Sequence, residues 1–349
     1  MDEARDLGLV SIPFAVGAAA GLHMPWQAGV PALCLTGACI FLTSKRRSDD
    51  YIIPLLFLFL GIFCGISGRE TSLHASGPAG NAAERLRSLI DSIPFAYERS
   101  GPLVKALLTG DRSGLDSGTI SVFRASGASH ILALSGLHLG LIHLMIKRCA
   151  AILGNSRAAC IIRASLTTAC AGFYTLMTGA SPSTVRAFLF IAAGEWAGVS
   201  PGRRGSPKRS LLLALTIQSA LSPASLESVS FQMSYLAMCG IVFILPGLQK
   251  WYPDGGKRAG LMRRIWNAAA LSISCQIFTA PLAWMRFHTF PKYFLLTNIL
   301  ALPLSSAAMA VSALTIALHA IGLCPEALVH ADDMLIQALV YVLETISGM

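Results

Sequence analysis

The sequence predicts an all-α integral membrane protein that crosses the bilayer many times, and three observations carry that prediction. Of the 349 residues, 54% are hydrophobic and only 13% are charged, about half the charge of an ordinary soluble domain. Mean hydropathy is +0.61. Apolar runs of the length a spanning helix needs, roughly 17–25 residues, recur along the chain. Together these exclude a soluble domain of this size and a disordered chain. Nine cysteines without a CxxC pair also exclude a disulfide-stapled secreted module.

In chain order, spans are expected near residues 7–24, 27–43, 51–67, 128–147, 158–178, 183–199, 209–222, 230–247, 266–284, 293–303, 304–323 and 328–346. The stretch 293–323 contains Pro303 and reads as one long broken helix or a tight hairpin. This gives about ten to twelve crossings, some of them broken or re-entrant. The first run is too long for a signal-peptide core and lacks a basic flank, so it reads as a retained helix. The expected organisation is an N-terminal membrane region of three helices (1–67), an extracytoplasmic amphipathic segment (68–127) and a transmembrane core (128–349).

Charge placement tests this map. Four clusters fall in loops on one side: Lys45, Arg46 and Arg47; Lys147, Arg148 and Arg157; Arg203, Arg204, Lys208 and Arg209; and Lys250, Lys257, Arg258, Arg263 and Arg264. The positive-inside rule puts that side, and the N-terminus, in the cytoplasm. These clusters hold more than half of the 27 basic residues, so the net charge of +9 is topological and is no argument for nucleic acid by itself.

On the opposite side, Ala82, Leu86, Leu89, Ile90 and Ile93 repeat at helical spacing, while Glu84, Arg87, Ser88 and Asp91 fill the other face. The expectation is an amphipathic helix at the outer membrane–water interface, ended by Pro94. A second helix is expected over 102–109, stopping at Gly110. A third runs to Ser126, with Asp116 or Ser117 as its cap.

Several polar groups lie inside apolar spans, where they are costly unless paired or beside water. Residues 130–140 read HILALSGLHLG. Ser135 and His138, three apart, would share one face of a continuous helix. Two readings stay open: His130, Ser135 and His138 line a pore, or Gly136 and Gly140 form a GxxxG packing face. A hydrolytic Ser135–His138 dyad lacks an acid to orient the histidine. His138 and His143 point about 140° apart on a helix, and no carboxylate or cysteine sits at ligand spacing, so neither a metal site nor a cofactor is expected. Arg186 falls in the first turn of a helix begun by Pro182. It is either a cation at the outer mouth or a snorkelling interfacial anchor. Phe231 and Tyr235 share a face beside Gln232 and Ser234, and could stack on bases or belong to an aromatic belt. Asn298, five residues before Pro303, suits a broken helix beside water or an ordinary kink with an interhelical hydrogen bond. Asp332 and Asp333 are placed near the start of the last span, where the helix dipole favours acids.

These residues fall into four blocks, and in this order the chain resembles the ComEC family of bacterial competence proteins in its membrane "Competence" domain. The first block runs from 107–112 (LLTGDR, with Gly110, Asp111 and Arg112) through 123–127 (FRASG, ending in Gly127) into 130–140. The second is 182–187 (PSTVRA). The third is Pro223 with Phe231, Gln232, Ser234, Tyr235 and Gly240. The fourth is 281–287 followed by Asn298 and Pro303. The resemblance covers roughly 100–305. It implies a non-enzymatic, multi-pass channel of the bacterial cytoplasmic membrane that imports single-stranded DNA during natural transformation. It also implies a separate nuclease and a DNA-translocating ATPase as partners beside membrane lipids. Two departures accompany it. The gap after Ser67 leaves no room for the family's oligonucleotide-binding-like domain, and no HxHxDH motif of its metallo-β-lactamase-like domain occurs. The chain thus reads as a minimal channel, a fragment of a split gene, or a relative with a changed role. A permease for another solute and an intramembrane hydrolase using Ser135 and His138 are the alternatives.

Overall fold

In apolar surroundings a chain must pair its own N–H and C=O groups, and short-range helices do this without partners. The computed structural model describes residues 3–45, 52–68, 78–154, 156–199, 206–251, 259–288 and 292–348, and among them there is no strand. Arg46, Arg47, Arg203, Arg204, Lys257 and Arg258, which carry part of the charge-placement argument, lie outside the described residues.

The helices are α1 (Glu3–His23), α2 (Gly29–Lys45), α3 (Ile52–Ser67), α4 (Pro78–Asp91), α5 (Ser100–Thr109), α6 (Ser117–Ala125), α7 (Ser129–Leu132), α8 (Gly136–Ala150), α9 (Arg157–Met177), α10 (Pro182–Val199), α11 (Pro207–Leu221), α12 (Val229–Cys239), α13 (Leu245–Lys250), α14 (Ala259–Phe287), α15 (Phe294–Ala320) and α16 (Glu326–Ser347). Among the described residues, five stretches are long and apolar enough to cross a membrane: Gly136–Leu153, Arg157–Met177, Val229–Lys250, Met262–Phe287 and Phe294–Ala320. Leu7–His23 and Ile52–Ser67 are shorter apolar helices. The protein is therefore an all-α, multi-pass membrane protein. The remaining expected spans are helical too, as α2, α10, α11 and α16.

The chain forms two compact units. The first comprises Met1–His74, Cys149–Cys170 and Val185–Ser234. Its centre is the contact of α1 with α3. A Cβ on Gly17 would lie 2.0 Å from the Leu58 carbonyl oxygen, and one on Gly61 would lie 2.2 Å from that of Phe14. Gly21 and Gly65 are as tight, against Ile62 and Ala18. Two GxxxG pairs thus bring the helix backbones together, which gains dispersion contacts where lipid offers no hydrophobic drive. Ser11 and Thr216 join α1 to α11 through a 2.8 Å hydroxyl contact.

The second unit comprises Ala75–Arg148, Ala171–Thr184 and Tyr235–Met349. Its core joins Ile90, Leu103, Leu107, Phe123, Met309 and Leu339 from α4, α5, α6, α15 and α16. The amphipathic helix forms as expected, but Ile90 is 0% exposed. Protein, not an interface with lipid, covers this face, because α5 and α15 pack against it. Gly110 ends α5 in the left-handed region at φ 78°, and Asp116 caps α6 by accepting the Thr119 N–H.

Two expectations about continuity are corrected. Residues 128–147 are not one helix: α7 and α8 are separated at 133–135. Residues 293–323 are neither broken nor a hairpin, since α15 runs through Pro303. That proline supplies no N–H to the preceding turn. The Ser305 and Ser306 hydroxyls both donate to the Leu302 carbonyl, at 3.0 and 2.8 Å. Between α12 and α13 the helix widens to a π-turn over Gly240–Ile244. The cause is Pro246, which leaves the Val242 carbonyl without its usual donor. Gly240 is needed there, because a Cβ would sit 2.0 Å from the Ser274 carbonyl oxygen.

Close backbone approach and mere helical glycine are separable by experiment. Gly61→Ala is expected to destabilise the detergent-solubilised protein by about 1–3 kcal/mol through overpacking. Gly140→Ala, whose Cβ would meet nothing within 4 Å, is expected to be neutral or slightly stabilising. Thermal unfolding of the two variants side by side checks both.

Candidate functional site

The polar residues of the first block gather around the gap between α7 and α8. Ala133 is extended (φ −77°, ψ 126°) and ends α7. Ser135 then restarts the helix. Its Oγ accepts the Leu137 N–H at 3.3 Å and its carbonyl accepts the His138 N–H at 3.2 Å. Ser135 thus stands outside the helix as its cap, where a serine is favoured, and shares no helical face with His138. The two residues still meet. His138 Nδ1 accepts the Ser135 backbone N–H at 3.2 Å and lies 3.0 Å from its Oγ. With Nδ1 an acceptor, the neutral ring carries its proton on Nε2.

His138 is 1% exposed. Among the described residues its Nε2 has no hydrogen-bond partner. No carboxylate orients the imidazole, so the contact closes a helix end and does not reproduce a nucleophile–base–acid chain. His130 is exposed, with Nδ1 3.1 Å from the Gly127 carbonyl oxygen.

An interrupted helix frees carbonyls, and side chains from two other places take two of them up. Arg112 donates from Nε and Nη2 to the Leu132 oxygen, at 3.1 and 2.9 Å. Ser183 Oγ donates to Leu134 at 2.7 Å. At the end of α5 the Tyr174 hydroxyl donates to Leu108 at 2.6 Å, and after α6 Thr297 Oγ1 donates to Ser126 at 2.6 Å. Gly110 has no room for a side chain because a Cβ would lie 2.4 Å from Leu134 Cδ1. Gly127 also has positive φ, at 79°. Asp111 accepts the Ser113 N–H at 3.0 Å and pairs with Arg87 at 3.3 Å. Chiefly the Ser113 hydrogen bonds, and then Arg87, hold its carboxyl below the usual range.

The other candidates are placed as follows. Gly136 opens α8, and Gly140 has open space, unlike Gly17, Gly21, Gly61 and Gly65, which meet a neighbouring backbone. Pro182 is the first residue of α10. Arg186 is only 9% exposed, which corrects the snorkelling anchor: its side chain is enclosed by protein. Phe231 and Tyr235 are buried as well and form no lipid-facing belt. Gln232 donates to the Leu226 carbonyl at 3.1 Å, and Ser234 is half-buried. Asn298 Nδ2 lies 3.2 Å from Ser272 Oγ, which links α15 to α14, while its Oδ1 is buried without a hydrogen-bond partner among the described residues. His130, Ser135, His138 and Asn298 belong to the second unit, and Arg186, Phe231, Gln232 and Ser234 to the first.

Sequence reasoning missed the donor roles of Arg112, Tyr174, Ser183 and Thr297. The first and third stood in recognised blocks, but spacing names no partner for them. It also placed Asp332 and Asp333 in the first turns of the last helix without naming their partners. Both are buried past the first turn of α16, where Asp332 accepts from Ser312 Oγ and Asp333 from the Ala96 N–H, each at 2.7 Å.

Asp116 offers a test of the segment leading into the gap. Asp116→Ala is expected to cost about 1 kcal/mol at neutral pH, the usual worth of such a cap. The Thr119 side-chain and backbone hydrogen bonds hold the Asp116 carboxyl below its ordinary 3.8. The deficit is therefore fully present above that pH and disappears as acid protonates the folded parent. Unfolding midpoints of parent and variant across pH 3–7 measure it.

The competence-protein family matches residues 107–349. Among individual proteins, the chain is 30% identical over 182 residues to "Competence protein ComA" of Neisseria gonorrhoeae, covering 49% of this chain and 25% of that protein. It is 24% identical over 206 residues to "ComE operon protein 3" of Bacillus subtilis (strain 168), covering 58% and 24%. It is 23% identical over 207 residues to the "Uncharacterized protein YcaI" of Escherichia coli (strain K12), covering 58% and 27%. The match spans about a quarter of the length of each relative. No solved structure matches the chain.

Proposed function

The chain belongs to the competence-protein family, and from that premise we propose that it forms a membrane passage for a single strand of DNA entering a bacterial cell during natural transformation. The observation that carries this reading is the gap between α7 and α8. Irregular backbone within an apolar helical protein is tolerated where protein encloses it or where it borders water. Here it contains Ser135 and is flanked by His130 and His138, with His130 exposed.

A strand is a polar, anionic chain, and a path for it needs hydrogen-bonding groups, cations or aromatic faces at membrane depth. The candidates in the second unit are His130, Ser135, His138 and Asn298; Arg186, Phe231, Gln232 and Ser234 of the first unit are candidates each on its own chemistry. Asn298 Oδ1 brings an acceptor with no hydrogen-bond partner among the described residues. Gly110, Asp111, Arg112, Gly127, Gly136, Gly140, Pro182 and Pro303 shape the helices and turns around these groups.

The protein sits in the cytoplasmic membrane with its N-terminus inside, as the placement of Lys and Arg supports. A passage supplies neither strand degradation nor a directional force, so a separate nuclease and a DNA-translocating ATPase complete the process. The chain itself is a conduit and not an enzyme.

Deletion of the gene is expected to abolish transformation by added DNA while DNA binding at the cell surface persists. Normal import without it overturns the reading. A Ser135→Ala variant is expected to retain most of the import; complete loss with an intact fold would instead favour hydrolysis at Ser135.

A further inference from the structure

The gap between α7 and α8 presents three consecutive residues with no regular secondary structure, Ala133, Leu134 and Ser135, all half-buried. Left alone, such a stretch has two easy fates. It can close into helix, joining α7 to α8, or it can loosen and let water reach its carbonyls. The structure opposes both. The Arg112 fork occupies the Leu132 oxygen with two N–H groups, so that oxygen is engaged where a continuing helix would need it for the Gly136 N–H four residues on. The Ser183 hydroxyl occupies the Leu134 oxygen in the same way. The Leu134 side chain sits over Gly110, where any larger residue would collide with it.

The donors reach the gap from two different turns. Arg112 lies between α5 and α6, and Ser183 lies in the first turn of α10. Asp111, its neighbour, is engaged by Arg87, and Arg112 makes no ion pair among the described residues. Its charge is directed at a carbonyl, although a carboxylate is adjacent in sequence. An arginine suits this task because its planar fork delivers two parallel donors to one acceptor, whereas a lysine is a single mobile point.

We infer that Arg112 is a positioning residue: its two hydrogen bonds to Leu132, with Ser183 on Leu134, hold the gap between α7 and α8 in its non-helical form and thereby fix Ser135 and His138 in place. The inference rests on the passage reading only for what the held gap serves. Arg112 does not touch the strand; it acts through the backbone it grips.

The test is site-specific thiol labelling of the full-length protein in membranes. Ala133→Cys reports on the gap, and Ala338→Cys, on the exposed face of α16, is the control. Labelling of the parent, with its nine cysteines, is the baseline. Losing a charge-assisted hydrogen bond is expected to raise the labelling rate at position 133 about tenfold in Arg112→Gln, and losing a neutral one about threefold in Ser183→Ala. Arg112→Lys, which restores one of two donors, is expected to fall between parent and Arg112→Gln. The rate at position 338 stays at the parent value throughout.

An unchanged rate at position 133 in Arg112→Gln overturns the inference, as does an equal rise at both positions, which would mean general loosening. If Arg112→Gln does not assemble, unchanged labelling in both Arg112→Lys and Ser183→Ala overturns it. No DNA enters this measurement. Altered labelling together with normal import in the deletion strain leaves Arg112 in its role and removes the passage. Unchanged labelling with lost transformation in the deletion strain does the reverse.

Discussion

Every irregular feature of this protein answers to one constraint: a peptide group taken away from water must find its partner in the protein. An unpaired amide or carbonyl in an apolar setting costs about 1–3 kcal/mol even by protein mutational measures. A few such groups would consume most of the net stability of a domain. The gap between α7 and α8 frees several carbonyls at once, and a guanidinium and a hydroxyl from distant turns engage two of them. The same solution recurs where α5 ends, with Tyr174, and where α6 ends, with Thr297. The first block is therefore best understood as loops that pair one another's backbones. Its polar residues are neither decoration nor, for the most part, free reactive groups.

A second economy is the use of missing side chains. Lipid gives helices no reason to associate by hydrophobicity, so proximity itself must supply the attraction. Gly17, Gly21, Gly61 and Gly65 let α1 and α3 meet backbone to backbone. Gly240 does the same against α14. Gly140 looks alike in sequence and has open space beside it, because spacing states that a smooth face exists and says nothing of what is laid against it.

That contrast measures what could be read from residues alone. The helical class, the presence of α4, α5 and α6, the end of α5 at Gly110 and a cap at Asp116 or its neighbour were legible, because local propensity and periodicity set them. The interruption at 133–135 was not, since HILALSGLHLG has the apolar content of a continuous span and the serine that ends it also fits a helix interior. Nor was the continuity of α15, where Pro303 carries a strong local signal against it and the helix runs on through the proline all the same. The site was half legible. The polar residues stood out by their rarity in an apolar chain, but the partners that hold the two aspartates, Ser312 and Ala96, come from other parts of the sequence.

The widened turn at Gly240–Ile244 has a consequence for the whole stretch from Val229 to Lys250. Five residues per hydrogen-bonded loop in place of four add one residue to the circuit, so everything beyond the turn is rotated by about 100° against an unbroken α-helix. The azimuth of Phe231 and Tyr235 therefore does not predict that of Leu248 or Lys250. A helical wheel drawn across the full span mixes two phases, and the two ends of one apparent rod are free to face different surroundings.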